Sequence, residues 1–392
     1  MKSKIDFIPV AKPWMDEAEC QAAAGVIRSG WVVQGPEVQA FEKEFAVFVK
    51  APFACAVSNC TTALHLALLA AGVGPGDEVI TVSHTFIATS NSIRYCGAIP
   101  VFIDIDPDTF NIDPKQIETA ITKKTKIILC VDQMGMPCNL SAIMKVARKY
   151  SLVVVEDAAC SFGSEIKWQG EWQKIGRPQA DIACFSFHAR KIVTTGEGGM
   201  ITTSNSEWDR KIRLWRHNGM DVSDLKRHQS NQVIFESYTE MGYNYRLTDI
   251  QAAIGRAQLK RLSEILEKRR TLADRYQKLL KPISGVIAPR EPSWARSNWQ
   301  SYCVRLEEGI DQRRVMQYML DQKIAARRGI MCIHREPVYQ KNSWGNGRQW
   351  SLKESEKAQD HSILLPLFPQ MKESQQDRVV EALAHACQLV DA

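Results

Sequence analysis

Short apolar runs alternate with longer amphipathic stretches through the first half of the chain. Several of the runs are apolar on both faces, which is typical of buried parallel strands. The predicted strands are residues 54–58, 78–83, 100–105, 126–131, 152–157, 182–187 and 199–204. The stretches after Thr61 and after Asn139 have helical patterns. This alternation predicts an α/β domain with a mostly parallel central sheet flanked by helices.

A long amphipathic pattern begins near Thr248 and continues to about Leu280. A helix of that length would leave the first domain and enter a second. The remaining chain contains a strand-like run, SYCVRL (301–306), and a final helical stretch at 373–390. We therefore predict a large α/β domain at 1–250 and a smaller C-terminal α+β domain at 251–392, bridged by the helix from about residue 248.

Composition and charge narrow the class of protein. The formal charge is only +6, and basic residues alternate with acidic ones, whereas nucleic-acid binding favours a concentrated basic stripe. The eleven cysteines are scattered without a CxxC pair, so neither a metal site nor a disulfide framework is predicted. No apolar run reaches membrane-spanning length, and the first residues lack the apolar core of a signal peptide. We expect a cytoplasmic protein with no nucleic-acid or membrane partner.

Two polar segments follow predicted strands, where ligand crevices form in open α/β sheets. Ser58, Thr61 and Thr62 lie at a predicted helix start, where they either bind an anion or cap the helix. Glu156 and Asp157 end a strand. Asp157 either holds the protonated nitrogen of a pyridine ring, or serves as a cap, a salt-bridge partner or a metal ligand.

A lysine follows a third predicted strand end. Lys191 lies in an irregular segment before the Gly-rich turn TTGEGG (194–199). In a partly dry pocket, with Arg190 and His188 supplying positive charge, its pKa would fall and its amine would act as a nucleophile. The alternative is a solvated surface lysine, but the buried strand on one side and the Gly-rich turn on the other argue against it.

Five motifs resemble those of one known family. They are SNCTTAL (58–64), SHTFIAT (83–89), EDAAC (156–160), SFHARKIVTTGEGG (186–199) and GYNYRLTDIQAAIG (242–255). In this order they resemble the DegT/DnrJ/EryC1/StrS family of sugar aminotransferases, and the match extends from about Pro9 to Pro369. The resemblance implies fold type I of the enzymes that depend on pyridoxal 5′-phosphate (PLP).

The resemblance also implies roles for individual residues. Lys191 would form a Schiff base with PLP, and Asp157 would hold the pyridine nitrogen. Phe86 would stack on the cofactor ring, and the phosphate cradle would consist of Thr61, Thr62 and Ser186. Asn244 would reach the phosphate of the neighbouring subunit's cofactor. The last role implies a homodimer with shared active sites.

The chain departs from the family pattern at three places. Cys60 stands where glycine is usual, so the turn there must tolerate a side chain. Cys160 stands where glutamine or histidine often flanks the cofactor, and no role follows for it. Ala189 and Arg190 replace the common Pro-Thr pair. Some relatives carry histidine at the lysine position and catalyse dehydration, and Lys191 argues against that chemistry.

The implied reaction is a ping-pong transamination from an amino acid, expected to be L-glutamate, to a keto-sugar. The expected acceptor is a nucleotide-linked 3-keto or 4-keto deoxysugar of surface-polysaccharide or secondary-metabolite biosynthesis. The alternatives are a keto-cyclitol acceptor, a non-catalytic PLP-binding regulator and a sugar dehydratase.

Two further segments are expected near the acceptor. In the first, Arg327, Arg328 and His334 either face a diphosphate or form surface ion pairs. The second, residues 218–241, is predicted to be a long, mobile loop near the site.

Overall fold

The computed structural model describes residues 6–340 and 351–390. Its helices are α1 (Glu17–Ser29), α2 (Pro36–Val49), α3 (Cys60–Ala70), α4 (Ala88–Tyr95), α5 (Pro114–Ala120), α6 (Leu140–Lys149), α7 (Ser206–Trp215), α8 (Asp224–Gln229), α9 (Asp249–Leu280), α10 (Gln312–Asp321), α11 (Pro337–Gln340), α12 (Lys353–His361) and α13 (Glu373–Val390). Its strands are β1 (Phe53–Val57), β2 (Glu78–Val82), β3 (Ile99–Ile103), β4 (Thr125–Val131), β5 (Val153–Asp157), β6 (Glu165–Trp168), β7 (Glu171–Lys174), β8 (Ile182–Ser186), β9 (Gly199–Thr203), β10 (Val286–Ile287), β11 (Ala295–Arg296), β12 (Tyr302–Leu306), β13 (Arg327–Arg328) and β14 (Ser362–Leu365).

A seven-stranded sheet forms the centre of the larger part, in the order β1-β9-β8-β5-β4-β2-β3. All seven predicted strands are present, and the predicted α/β fold class is confirmed. Every strand runs in the same direction except β9, which is antiparallel to both β1 and β8. The carboxyl ends of β1, β2, β5 and β8 therefore meet at one edge of the sheet, together with the amino end of β9.

Both faces of this sheet are buried. Alternate residues of β8 belong to different apolar clusters: Ala183 and Phe185 face one cluster, and Ile182 and Cys184 face the other. Helices α2 and α9 contribute side chains to the first cluster, and α3 contributes to the second. Two-sided burial explains why the strand sequences are continuously apolar rather than alternating.

The predicted long helix is confirmed as α9, which is 32 residues long. Thr248 caps it, and the Thr248 and Gln251 side chains form a reciprocal capping box. Asp249, in the first turn of α9, also serves a second helix, because its carboxylate accepts hydrogen bonds from the backbone N–H groups of Gly35 at 2.7 Å and Val38 at 3.0 Å, at the amino end of α2.

The C-terminal part has its own antiparallel sheet, in the order β10-β12-β14-β13, packed with α10 and α13 around a separate apolar cluster. The predicted strand within 301–306 and the predicted final helix are both present. The N-terminal segment also joins this cluster, since Ile8 is fully buried there and pairs with Ile324. The predicted domain division at residue 250 stays a prediction.

Within the described ranges, no helix has both the length and the apolar character needed to cross a membrane. The segment 218–241 contains the short helix α8 and a bridge between Met220 and Tyr238. It carries several strongly exposed apolar side chains, among them Val233, Phe235 and Met241 at 84%, 89% and 88% exposure.

Candidate active site

The polar edge of the central sheet brings the predicted site residues together. Asp157 ends β5 and is buried. Its carboxylate accepts a hydrogen bond from the Thr89 hydroxyl at 2.8 Å and from the Ala159 backbone N–H at 3.2 Å. These bonds fix the carboxylate at the strand end.

Burial raises the pKa of Asp157 above its usual value, because a charged carboxylate loses its hydration there. The bonds from Thr89 and Ala159 and the charge of Lys191 act in the opposite direction. A buried carboxylate of this kind needs a cationic or protonated partner. A protonated pyridine nitrogen meets that need, so Asp157 fits the role implied by the resemblance.

Lys191 lies just beyond β8, and its Nζ is 3.0 Å from the Cys160 Sγ. We predicted that neighbouring cations would lower the pKa of this lysine, and that prediction is wrong. Burial lowers the pKa, but the Cys160 and Cys60 thiols and the Asp157 carboxylate outweigh burial, and the net shift is upward. The sequence also assigned no role to Cys160, whose thiol is a direct neighbour of the Lys191 amine.

The amino end of α3 lies at the same edge. Asn59 caps the helix by accepting from the Thr62 backbone N–H at 2.9 Å, and the Thr62 hydroxyl donates to the Asn59 carbonyl at 2.8 Å. Thr62 therefore takes part in the cap, which was one of its two predicted roles. Thr61 follows Cys60 in the first turn, where free backbone N–H groups favour an anion such as a phosphate.

A glycine allows β9 to approach this helix end closely. A Cβ atom on Gly199 would lie 2.6 Å from the carbonyl carbon of Asn59 and 2.9 Å from the Cys60 nitrogen. Ser186 pairs with Gly199 across the β8–β9 ladder, and its side chain is buried. Gly199 thus lies between Ser186 and the start of the helix that carries Thr61 and Thr62, and the phosphate cradle of these three residues stays a prediction.

Two other predicted PLP contacts are exposed. Phe86 follows β2 and is 68% exposed, which leaves an apolar ring face open at the sheet edge. Such a face suits stacking on an aromatic ring. Asn244 is also exposed, and the backbone carbonyl of its neighbour Tyr245 accepts from the Ser58 N–H at 2.8 Å. The segment that carries Asn244 therefore lies against the end of β1.

The three predicted acceptor residues are placed differently from one another. Arg327 and Arg328 form β13 and are exposed. His334 has both ring nitrogens engaged, with Ser83 Oγ 2.6 Å from Nδ1 and Glu356 Oε1 3.0 Å from Nε2. These contacts hold the segment after β13 against the end of β2.

Sequence reasoning missed two sets of residues that shape the site. Thr89 lies within the quoted motif SHTFIAT, yet its bond to Asp157 joins residues 68 positions apart. Asn298 and Gln300 come from the C-terminal part: Asn298 donates to the Cys160 carbonyl at 2.8 Å, and Gln300 donates to the Arg190 carbonyl at 2.6 Å. No local pattern signals these long-range contacts.

Fold and site together define a PLP-dependent aminotransferase. The PLP form of Spr1654 from Streptococcus pneumoniae superposes with a TM-score of 0.88 and 27% identity, covering 98% of this chain and 100% of that one. The chain belongs to the DegT/DnrJ/EryC1/StrS aminotransferase family, whose model matches residues 13–384. The predicted family, enzyme class and cofactor are thereby confirmed.

Two relatives match nearly the whole chain. The spore coat polysaccharide biosynthesis protein SpsC of Bacillus subtilis is 38% identical over 386 residues, covering 96% of each chain. The UDP-4-amino-4-deoxy-L-arabinose–oxoglutarate aminotransferase of Shewanella sediminis is 34% identical over 388 residues, covering 97% of this chain and 98% of its own. The chain is thus a member of a family of sugar aminotransferases.

Proposed function

We propose that this enzyme transfers the amino group of L-glutamate to a nucleotide-linked 3-keto or 4-keto deoxysugar in surface-polysaccharide or secondary-metabolite biosynthesis. The observation that carries the proposal is the meeting of Lys191, Asp157 and the amino end of α3 at one sheet edge. The name of the Shewanella sediminis relative supports a nucleotide-sugar substrate, and that of SpsC supports a polysaccharide pathway.

PLP, when bound, supplies an aldehyde that takes up the amino group and a pyridine ring that withdraws electrons. The Lys191 amine is the candidate base that removes the proton from the donor's α-carbon and later returns a proton to the acceptor carbon. Asp157 would keep the ring nitrogen protonated, with Thr89 fixing the orientation of its carboxylate. Thr61, Thr62 and Ser186 would hold the phosphate, and Phe86 would cover one ring face.

Arg327 and Arg328 are candidate contacts for the acceptor's diphosphate, because guanidinium groups suit phosphate oxygens. Neither forms an ion pair with a carboxylate in the part of the chain that the structure describes. His334 differs from them, since Ser83 and Glu356 already engage its ring. We therefore propose that His334 positions the segment that carries the arginines.

A two-step assay tests the reaction. The purified enzyme, loaded with PLP, is mixed with L-glutamate, and the cofactor absorbance and released 2-oxoglutarate are followed; nucleotide 3-keto sugars, nucleotide 4-keto sugars and keto-cyclitols are then screened by mass spectrometry. We expect glutamate to be consumed and one nucleotide sugar to gain nitrogen, with Lys191→Ala inactive. An unchanged spectrum with every donor would indicate a regulator. A deoxygenated product without nitrogen would indicate a dehydratase, and an aminated cyclitol would show that the acceptor is a keto-cyclitol.

We also propose that the enzyme is a homodimer. The exposed apolar side chains of Val233, Phe235 and Met241 form an unusually apolar stretch for a surface loop, and such patches mark contact sites. Light scattering after gel filtration should give a dimer for the wild type and a monomer for Phe235→Asp. The control is Val47→Asp on α2, which changes another exposed apolar side chain, at 70% exposure, and should remain dimeric.

Mixing inactive variants tests whether the active sites are shared. If Asn244 serves the partner's cofactor, a mixed dimer of Lys191→Ala and Asn244→Ala subunits has one intact site. Refolding the two variants together should therefore restore about a quarter of wild-type activity, because half of the dimers are mixed and each has one working site. No recovery would show that Asn244 acts within its own subunit.

We place the enzyme in the cytoplasm, since its cysteines, including the active-site Cys160, are free thiols, which a reducing compartment preserves. Cell fractionation tests this directly, and recovery with an extracytoplasmic marker would contradict it.

A further inference from the structure

We propose that Cys160 and Lys191 are the two ends of a reversible sulfur–nitrogen cross-link, which forms when a peroxide oxidises the enzyme while the lysine amine is free. The closed cross-link arrests the enzyme between the two halves of its reaction. This inference rests on the proposed function, because the donor's amino group must displace Lys191 from the cofactor before the lysine can react with sulfur.

The two atoms that would be joined are already neighbours. Lys191 Nζ lies 3.0 Å from Cys160 Sγ. The thiol belongs to the segment after β5 and the amine to the connection between β8 and β9, so the contact joins two parts of the same sheet edge. The flexible four-carbon stem of a lysine lets Nζ close the remaining gap to the sulfur.

Hydrogen bonds hold the backbone of both residues. The Cys160 carbonyl accepts from Asn298 Nδ2 at 2.8 Å, and the Lys191 N–H donates to the His188 carbonyl at 2.8 Å. Asn298 is fully buried, so the Cys160 backbone is anchored to the interior of the protein. The fold therefore keeps the amine beside the sulfur, which makes a reaction between them effectively intramolecular.

Accessibility distinguishes Cys160 from most other cysteines of the chain. Nine of the eleven are buried, whereas Cys20 is exposed and Cys160 is half-buried. The susceptibility of a thiol to peroxide depends on its exposure. Peroxide from the solvent therefore reaches Cys160 and Cys20 more readily than the other thiols, and Cys160 has the Lys191 amine beside it.

The cross-link forms in two balanced steps. In the first, hydrogen peroxide transfers one oxygen atom to the Cys160 sulfur, its O–O bond breaks, and the products are a sulfenic acid and water. In the second, the neutral Lys191 amine attacks that sulfur: an S–N bond forms, the S–O bond breaks, and the hydroxyl group leaves as water with a proton from the amine. Only the first step oxidises sulfur, so one peroxide suffices. Attack by a thiol on the sulfur reverses the cross-link and returns the amine.

The first step also makes the lysine more reactive. Burial lowers the pKa of Lys191, and Cys160 is the foremost of the groups that raise it. A sulfenic acid is neutral, so the attraction between a negative sulfur and the ammonium is lost when Cys160 is oxidised. The Lys191 ammonium then releases its proton more readily and supplies the neutral amine that the second step needs.

The state of the cofactor controls when the cross-link can form. While the Lys191 nitrogen is joined to PLP, it cannot attack the sulfur. Once the donor's amino group has passed to the cofactor, the Lys191 amine stays free until an acceptor arrives. Donor without acceptor therefore sensitises the enzyme to peroxide.

Peptide mapping by mass spectrometry tests the cross-link on the full-length enzyme. PLP-loaded enzyme, with or without prior treatment with L-glutamate, is freed of small molecules by gel filtration, exposed to hydrogen peroxide, alkylated with N-ethylmaleimide and digested. We expect the glutamate-treated enzyme to yield the Cys160 peptide joined to the Lys191 peptide, lighter by two hydrogen atoms than their sum. The untreated enzyme should yield little of this product, and dithiothreitol should separate the two peptides.

Two variants and a third sample serve as controls. Cys160→Ser should lose the joined peptides completely, because peroxide does not oxidise a serine hydroxyl. Cys20→Ser removes the exposed thiol on α1 and should keep the yield of the wild type. Enzyme freed of PLP should form the cross-link without any donor, because its Lys191 amine is free.

The inference is wrong if neither the PLP-free nor the glutamate-treated enzyme gives the joined peptides, if they persist in Cys160→Ser, or if Cys160 is found in a disulfide with Cys60 instead. Equal yields with and without L-glutamate, despite a changed cofactor absorbance, would overturn control by the cofactor. Failure of the proposed function looks different: the PLP-free enzyme then forms the cross-link, whereas L-glutamate changes neither the absorbance nor the yield.

Discussion

The contact between Thr89 and Asp157 offers a direct test of how the site is held together. Thr89→Val keeps the shape of the side chain and removes the hydroxyl that donates to Asp157 Oδ2 at 2.8 Å. Both residues are buried, so water cannot replace the lost donor. A hydrogen bond to a charged group contributes about 1.5–3 kcal/mol, which corresponds to a loss of roughly 10- to 150-fold in the function that depends on the Asp157 charge.

The direction of the effect follows from protonation. The Thr89 bond lowers the pKa of Asp157 and opposes the effect of burial. Its loss raises that pKa further, so Asp157 holds its negative charge, and with it the protonated pyridine nitrogen, less well. The rate of the half-reaction with L-glutamate should fall by about the factor above, and its acidic limb should move to higher pH.

The assay is a single-turnover reaction of the PLP-loaded enzyme with L-glutamate across a pH series. Thr81→Val is the matched control, because the Thr81 hydroxyl in β2 is fully buried with no hydrogen-bond partner among the described residues. It should leave the rate unchanged. If both variants behave alike, or if Thr89→Val slows the reaction without moving the pH profile, the hydroxyl does not act through Asp157 and the reasoning fails.

Three further predictions concern stability and cofactor affinity. Gly199→Ala should weaken PLP binding and destabilise the fold by about 1–3 kcal/mol, because the added Cβ would lie 2.6 Å from the Asn59 backbone. Gly25→Ala, which has open space around it, should do neither, and PLP titration and thermal melting measure both effects. Glu156→Gln should become more stable than the wild type as pH rises above 4.5, because burial and Asp132 raise the Glu156 pKa in the fold and only the unfolded wild type then releases this proton freely. Each tenfold change in the proton affinity of Glu156 corresponds to about 1.4 kcal/mol, and a difference in urea midpoint between variant and wild type that is the same at pH 5 and at pH 8 would contradict the prediction. Asp249→Ala should lower the free energy of unfolding by about 1–3 kcal/mol, because the buried N–H groups at the start of α2 lose their acceptor, and an unchanged urea midpoint would count against that cap.

The strands of the central sheet were predictable because burial on both faces leaves a continuous apolar run in the sequence. Neighbouring residues of β8 show this, as Phe185 and Cys184 are both buried and belong to different clusters. The candidate site residues followed from strand ends and from the resemblance. Their partners did not, because contacts such as that of Asp157 with Thr89 join positions 68 residues apart and leave no local pattern.

The pKa of Lys191 shows a second limit of sequence reasoning. Arg190 and His188 are its neighbours in the chain, so the sequence predicted a lowered pKa. In the fold, burial has the largest effect on the Lys191 pKa, and the groups that raise this pKa are Cys160, Cys60 and Asp157, which come from the segment after β5, the start of α3 and the end of β5. Electrostatic effects depend on distance in space, and the strand order of the sheet sets that distance.

The direction of β9 explains how Lys191 comes to lie in the site at all. Only twelve residues, 187–198, connect β8 to β9, and the structure shows no α-helix among them. A parallel connection must return to the opposite edge of the sheet and usually does so through a helix. The antiparallel turn avoids that crossing and keeps the whole connection at the carboxyl edge. Because β8 lies beside β5 and runs parallel to it, this edge is also where β5 ends at Asp157, and Lys191 lies in the connection there.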